Sequence, residues 1–280
     1  MPERIINIDE IEICAESFGA PADPAVLLMM GATASMAWWD AEFCRKLAAR
    51  GRFVIRYDNR DVGRSTFYEP GTINYSVEDL TADAVGVLDA YGVEKAHLVG
   101  MSLGGMLAQL AAVLYPKKVL TLTMIASSVF GADNPELPPM DERILEFHGR
   151  AGEIDWTDQK AVADYLVGGW RLLSGAGRKF DEDEAYRLAE TEIKRANNLL
   201  SMFNHAQLGG GEQYTEKIKE IKIPALVIHG TSDRALPFEH GQAIVSEIPG
   251  ARLLTLEGAG HEIHRDDWDA IIDAVIEQTN

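Results

Sequence analysis

The stretch HLVGMSLGGML, residues 97–107, runs an apolar strand pattern straight into a helical one and sets a serine at the junction. Gly100 stands two positions before Ser102, Gly104 two positions after it, and Gly105 follows. A G-x-S-x-G between strand and helix describes a sharp turn that holds the serine in strained backbone and lifts its oxygen above the sheet. Side chains two positions to either side would collide in that turn, which accounts for glycine at both. The following helix aims free N–H groups at the site and favours negative charge developing there. Gly105 is expected to let that helix pack closely on the sheet. Read alone, the same residues also describe a glycine-rich turn carrying an incidental serine. A dinucleotide loop fits less well, because GMSLGG lacks the second glycine of G-x-G-x-x-G.

Outward from this junction, strand-like and helical runs alternate. Arg4 to Ile8 and Ile11 to Ala15 read as a hairpin around Asp9-Glu10, with apolar residues two apart. The runs AVLLMM (25–30), FVIRY (53–57), AHLVG (96–100), LTLTMIA (120–126), ALVIH (225–229) and RLLTL (252–256) follow. Each is short and apolar on both faces, as parallel strands covered on both sides are. Helical spacing appears at 38–49, 77–91, 103–114, 238–247 and 267–277. The alternation predicts an α/β fold with a mainly parallel, eight-stranded sheet and helices on both faces.

One segment breaks the rhythm. Residues 131–222 carry Pro135, Pro138 and Pro139 and then charged helical stretches such as FDEDEAYRLAETEIKRANNLL, without a buried strand. The expected organisation is a core of residues 1–130 and 223–280 with a helical cap, or lid, inserted at 131–222.

Composition narrows the function classes. The 280 residues carry a formal charge of −18, which opposes binding to nucleic acid or to an anionic membrane surface. Cys14 and Cys44 belong to no CxxC or Cys/His cluster, so no metal site is expected, and two scattered thiols fit a reducing compartment. MPERIINIDEIEIC lacks a basic segment followed by an apolar run, and the uncharged stretch 25–39 is too short to span a bilayer. A cytoplasmic protein without membrane association, monomer or homodimer, is the expectation.

A serine hydroxyl at neutral pH needs a base, normally histidine, oriented by a carboxylate. Of seven histidines, His261 stands apart, in the glycine-loosened LEGAGHEIH between the last strand and the last helix. Catalytic groups of open parallel sheets gather beyond the carboxyl ends of strands. His97 and His229 read as strand residues, and His148, His205 and His240 as surface positions. His264, a fallback, is expected to face solvent. Asp233, in HGTSDRALP after the strand ALVIH, emerges at the same sheet edge as His261. Asp266 and Asp267 compete with it but read as acids at a helix N-terminus. The order Ser102, Asp233, His261 is the nucleophile–acid–histidine order of one hydrolase architecture. The oxyanion would then be received by the N–H of Leu103 and that of Ala32, in the loop after the strand AVLLMM. Alternatively, Gly31 in that loop only turns the chain.

LLMMGA, RYDNRDVGRST, VGMSLGG, LVIHGTSD and GAGHEI together resemble the α/β-hydrolase family over almost the whole chain. FGAPADPAVLLMMG and VIRYDNRDVGRST resemble more closely its aclacinomycin methylesterase-like branch, hydrolases of carboxylic methyl esters; the inserted segment resembles it poorly. The resemblance implies the α/β-hydrolase fold, no cofactor, a small-molecule ester substrate, and an acyl-enzyme on Ser102 with His261 as base and Asp233 as acid. It gives Asp58, Arg60 and Gly63 a structural role. Met30-Gly31 departs from the His-Gly of many members, and serine at 102 argues against the aspartate-dependent epoxide hydrolases and dehalogenases. Met36, Trp38, Trp170, Met202 and Phe203 are candidates for an apolar acyl pocket, though each also fits ordinary core packing. The readings that stay open beside a carboxylesterase are a cofactor-free haloperoxidase or perhydrolase, a carbon–carbon bond hydrolase, and a ligand-binding receptor on a hydrolase scaffold.

Overall fold

Connection length decides strand direction. Asp9 and Glu10 alone join β1 (Arg4–Ile8) to β2 (Ile11–Phe18), with Ile8 paired to Ile11, so the two run antiparallel. Asp9 turns the chain at φ 50°, a left-handed conformation that aspartate tolerates. The later strands are β3 (Ala25–Met29), β4 (Phe53–Tyr57), β5 (Ala96–Met101), β6 (Val119–Ile125), β7 (Ala225–Gly230) and β8 (Arg252–Leu256). Long connections carry the chain back between them. From β4 to β8 all neighbours pair parallel, and only the β1-β2 and β2-β4 pairs are antiparallel. The eight strands form one sheet in the order β1-β2-β4-β3-β5-β6-β7-β8. This is a computed structural model, and it describes residues 2–131 and 137–280.

Helices cover both faces. α2 (Val77–Ala90), α3 (Leu103–Leu114) and α7 (Phe238–Glu247) bury Leu80, Leu107 and Ile244 with Leu27, Ile55 and Val227 on one face. α1 (Ala41–Ala49) and α8 (Trp268–Gln278) bury Phe43, Leu47 and Ile271 with Val26, Leu28 and Ile228 on the other. Central strands covered on both sides need no polar alternation, and β3, β4, β5 and β7 are buried throughout. RLLTL departs from that expectation. It forms the edge strand β8, so it is only partly buried. The helix expected over 38–49 is also two pieces. A 3₁₀ turn spans Met36–Trp38, and Asp40 then caps α1 by accepting the Glu42 N–H at 2.6 Å.

Between β6 and β7 the described residues form no strand. They form α4 (Glu142–Gly149), α5 (Gln159–Leu173) and α6 (Glu182–Arg195), with 3₁₀ turns at Ala151–Glu153, Leu199–Gln207 and Glu212–Glu220. Pro135 lies outside the described residues. α6 has Glu182, Asp183 and Glu184 in its first turn and Lys194 and Arg195 in its last, matching the helix dipole. Val162, Leu166, Ala189 and Met202 form a third apolar cluster that also takes in Val62. Cys14 and Cys44 are both buried free thiols. No helix among the described residues is long and apolar enough to cross a membrane.

The sheet order fixes where a site can lie. From β3 the chain passes to β4 on one side, then returns to β5 on the other, with Met29 opposite Gly100. The loops leaving β3 and β5 therefore face each other at a point where the strand order reverses, the crevice in which open α/β sheets bind ligands.

Candidate active site

Ser102 stands between β5 and α3 at φ 51° and ψ −120°, a conformation that non-glycine residues rarely adopt. Its surroundings hold it there. Its N–H donates to the Ile125 carbonyl at 2.9 Å, and its own carbonyl accepts from Gly105 N–H at 2.9 Å and from Ser127 Oγ at 2.8 Å. A Cβ on Gly100 would lie 2.1 Å from the Gly104 carbonyl oxygen, and one on Gly104 2.1 Å from that of Met29. The turn therefore closes only with glycine at both positions. Gly105 lets α3 lie close on the sheet: a Cβ there would sit 3.1 Å from the Gly100 carbonyl oxygen of β5 and 2.5 Å from Ser127 Oγ. The Ser102 side chain makes no capping bond to α3, so its hydroxyl is not tied to the helix.

The acid and the histidine meet across 28 residues of chain. Asp233 Oδ2 lies 2.8 Å from His261 Nδ1, while Oδ1 accepts from the N–H groups of Ala235 and Leu236, both at 2.9 Å. Burial opposes charge on Asp233, but His261, His229 and these hydrogen bonds outweigh it and hold the carboxyl below its ordinary pKa. Burial likewise opposes a charged imidazole at His261, and the Asp233 carboxylate outweighs it, raising the histidine above its ordinary value. With Nδ1–H on the carboxylate, Nε2 is the nitrogen left to act as a base. His229 lies behind this pair rather than merely beside the loop. Its Nε2 donates to the Leu236 carbonyl at 2.8 Å and lies 3.5 Å from Asp233 Oδ2. The other competitors have different partners: Asp267 pairs with Arg178, and His264 Nδ1 accepts from the Asp266 N–H at 3.2 Å.

Ser102 and His261 line one cavity of about 480 Å³. Ala32, Trp38, Trp170, Met202 and Phe203 line it too, and Trp38 meets Trp170 edge to face with centroids 4.7 Å apart. Leu103 begins α3 immediately after the serine. Met36 is corrected. It is not among the lining residues but is fully buried in its 3₁₀ turn, where its N–H donates to Asp58 Oδ1 at 2.8 Å. His148 and His205, read as surface positions, line the cavity with Tyr165 and Glu192. Helical periodicity could not reveal them, because the inserted segment turns its inner face toward a space that is neither core nor bulk solvent.

The inserted segment also fastens both loops around the cavity. Arg195 reaches Asp58 Oδ2, Ser35 Oγ and Glu3 Oε1, each at 2.9 Å, and Ser35 Oγ donates to Glu192 Oε1 at 2.7 Å. Asp58 is thus paired with Arg195, while Arg60 pairs with Asp83 at 2.7 Å. Gly63, at φ 59°, leaves room for the Asp58 carboxylate. On the other side, the His261 N–H donates to the Leu173 carbonyl at 2.8 Å, and Gly177 N–H to that of Gly258 at 2.9 Å.

The family described as the alpha/beta hydrolase fold matches residues 24–267. The rhodomycin D methylesterase DauP of Streptomyces sp. (strain C5) is 35% identical over 278 residues, covering 94% of this chain and 93% of that protein. The rhodomycin D methylesterase DnrP of Streptomyces peucetius is 34% identical over 283 residues, with the same coverage of 94% and 93%. Among solved structures, bromoperoxidase from Bacillus anthracis superposes with a TM-score of 0.78 at 23% identity, covering 99% of both chains, which is a likeness of fold. With this sheet, this strained serine turn and these relatives, the chain belongs to the α/β-hydrolase family.

Proposed function

We propose that the protein hydrolyses carboxylic esters, methyl esters of bulky acids foremost, through an acyl-enzyme on Ser102. One observation carries the reading: a serine held at φ 51° shares a cavity with a histidine whose other nitrogen rests on a buried carboxylate. Ser102 Oγ attacks the ester carbonyl while His261 Nε2 takes its proton. The N–H groups of Leu103 and Ala32 receive the oxyanion of the tetrahedral intermediate. Its collapse breaks the bond to the alkoxy oxygen, which leaves as alcohol with the proton from His261. Water, deprotonated by His261, then attacks the acyl-enzyme and releases the acid and Ser102. The described residues between β6 and β7 act as the cap over this site, with Trp38, Trp170, Met202 and Phe203 against the acyl group. The methylesterase relatives and the cavity's size support a large acyl group leaving a small alcohol.

Fluorophosphonate labelling, followed by a series of p-nitrophenyl and methyl esters of increasing acyl size, tests this. Labelling at Ser102, lost in Ser102→Ala, and a preference for large acyl groups are expected. A protein that turned over these esters while unlabelled at Ser102, or whose Ser102→Ala variant kept its turnover, would overturn it.

A further inference from the structure

The loop that carries Ala32 contains an unusual residue. Thr33 lies at φ 65°, a left-handed conformation that is an outlier for a β-branched side chain and persists only where its surroundings impose it. The bond on its amide comes from far along the chain: Thr33 N–H donates to Nδ1 of His205 at 2.9 Å, across 172 residues. The same ring lies 2.8 Å through Nε2 from the Arg60 carbonyl, which only accepts. Nε2 therefore carries the proton and Nδ1 is the acceptor. Burial holds the ring below the ordinary histidine pKa and so favours this neutral form. The turn that presents His205 is pinned in its own right, by Ser201 Oγ on the Asp61 carbonyl at 2.8 Å and Asn204 Oδ1 on the Gly71 N–H at 2.7 Å.

We propose that His205 is a positioning residue for the oxyanion loop: by holding the Thr33 amide it sets the backbone of residues 31–33 so that the Ala32 N–H points at the reacting carbonyl. This rests on the hydrolytic reading above. The inserted segment then supplies more than a wall to the cavity. It completes the geometry of a donor that belongs to the core, through a bond that stabilises a backbone conformation the loop would not hold alone.

Two substitutions separate the bonds of the ring. His205→Asn keeps an acceptor near the place of Nδ1, and His205→Gln keeps a donor near that of Nε2. For each, kcat and KM on a p-nitrophenyl ester are measured, together with the affinity of a boronic acid whose tetrahedral adduct on Ser102 places an oxygen toward Ala32. His205→Gln is expected to lose about ten- to a hundredfold in kcat at unchanged KM, short of the 10²–10³ for removing a donor outright, and to lose boronate affinity in parallel. His205→Asn should stay within a few fold of the wild type. Equal losses in both variants, a loss confined to KM, or unchanged boronate affinity in His205→Gln overturns the proposal. Should the variants not fold, the ¹⁵N spectrum of the wild-type ring still decides: protonated Nε2 with an accepting Nδ1 is expected, and the opposite tautomer overturns it. A wild type that takes neither boronate nor fluorophosphonate would overturn the hydrolytic reading itself.

Discussion

At Ser102 the backbone is held where only glycine rests without strain, so function and stability should separate cleanly there. Ser102→Gly removes the side-chain penalty, of order 1–3 kcal/mol, and adds about 0.5–1 kcal/mol of unfolded-chain entropy. The net expectation is a variant about 1 kcal/mol more stable than the wild type in urea unfolding, with ester turnover down by about 10⁶. A less stable variant would show that the turn is not strained. The histidine makes a second residue-scale prediction. In the proposed mechanism His261 works as a base only when neutral, and Asp233 raises its pKa above the ordinary 6.5, so kcat/KM should fall with decreasing pH through a limb above 6.5. Asp233→Asn removes the charge that raises it. The limb should move to lower pH while the rate drops about 10⁴, the loss the same substitution brings in a serine protease. A pH profile of both proteins measures the shift, and an unmoved limb would assign it to a different group.

Elements meet here through backbone as much as through side chains. The chain after α5 runs against the loop before α8 with glycine facing glycine: a Cβ on Gly175 would lie 2.2 Å from the Gly258 carbonyl oxygen. That loop carries His261, so Gly175→Ala should displace it and slow fluorophosphonate labelling at least tenfold. Gly149→Ala, at the end of α4 where a Cβ meets nothing, should leave labelling unchanged and gain up to about 1 kcal/mol. Equal labelling of the two variants would dismiss the contact. This clasp was not legible in the sequence, because glycine loosens a loop and admits a close neighbour with the same letter. Much else was. FVIRY and RLLTL form strands over the residues expected, and 103–114 and 238–247 form helices, since turn residues bound each run. Ser102, Asp233 and His261 could be picked out because each follows a strand at one sheet edge, a one-dimensional signal. Met36 could not be placed, since an apolar residue in a loop reads alike whether it faces a cavity or the core. His205 and Glu192 could not either, because their partners, Thr33 and Ser35, lie over 150 residues away.

Across the whole molecule, the inserted segment is joined to the sheet-bearing part by buried charge rather than by apolar packing alone. Glu192 and Arg195, one turn apart on α6, enter a network with Ser35, Asp58 and Glu3 that spans residues 3 to 195. Buried ionic groups do little for stability when every partner is present, but they make it depend on protonation. Burial pushes the Glu192 carboxyl up from 4.5 to about 7, with Asp58 adding to the shift and Arg195 opposing it. A folded pKa above the unfolded one means that the native state keeps a proton the unfolded chain has lost. The stabilisation from that proton is complete below pH 4.5 and falls away as pH rises through about 7. The shift corresponds to at most about 3 kcal/mol, at 1.36 kcal/mol per pKa unit. Glutamine carries the neutral shape at every pH. Glu192→Gln should therefore unfold in urea at nearly the wild-type midpoint at pH 5 and at a distinctly higher one at pH 8. A difference between the two proteins that is the same at both pH values would mean that Glu192 is ionised throughout, with Arg195 holding its charge in the fold.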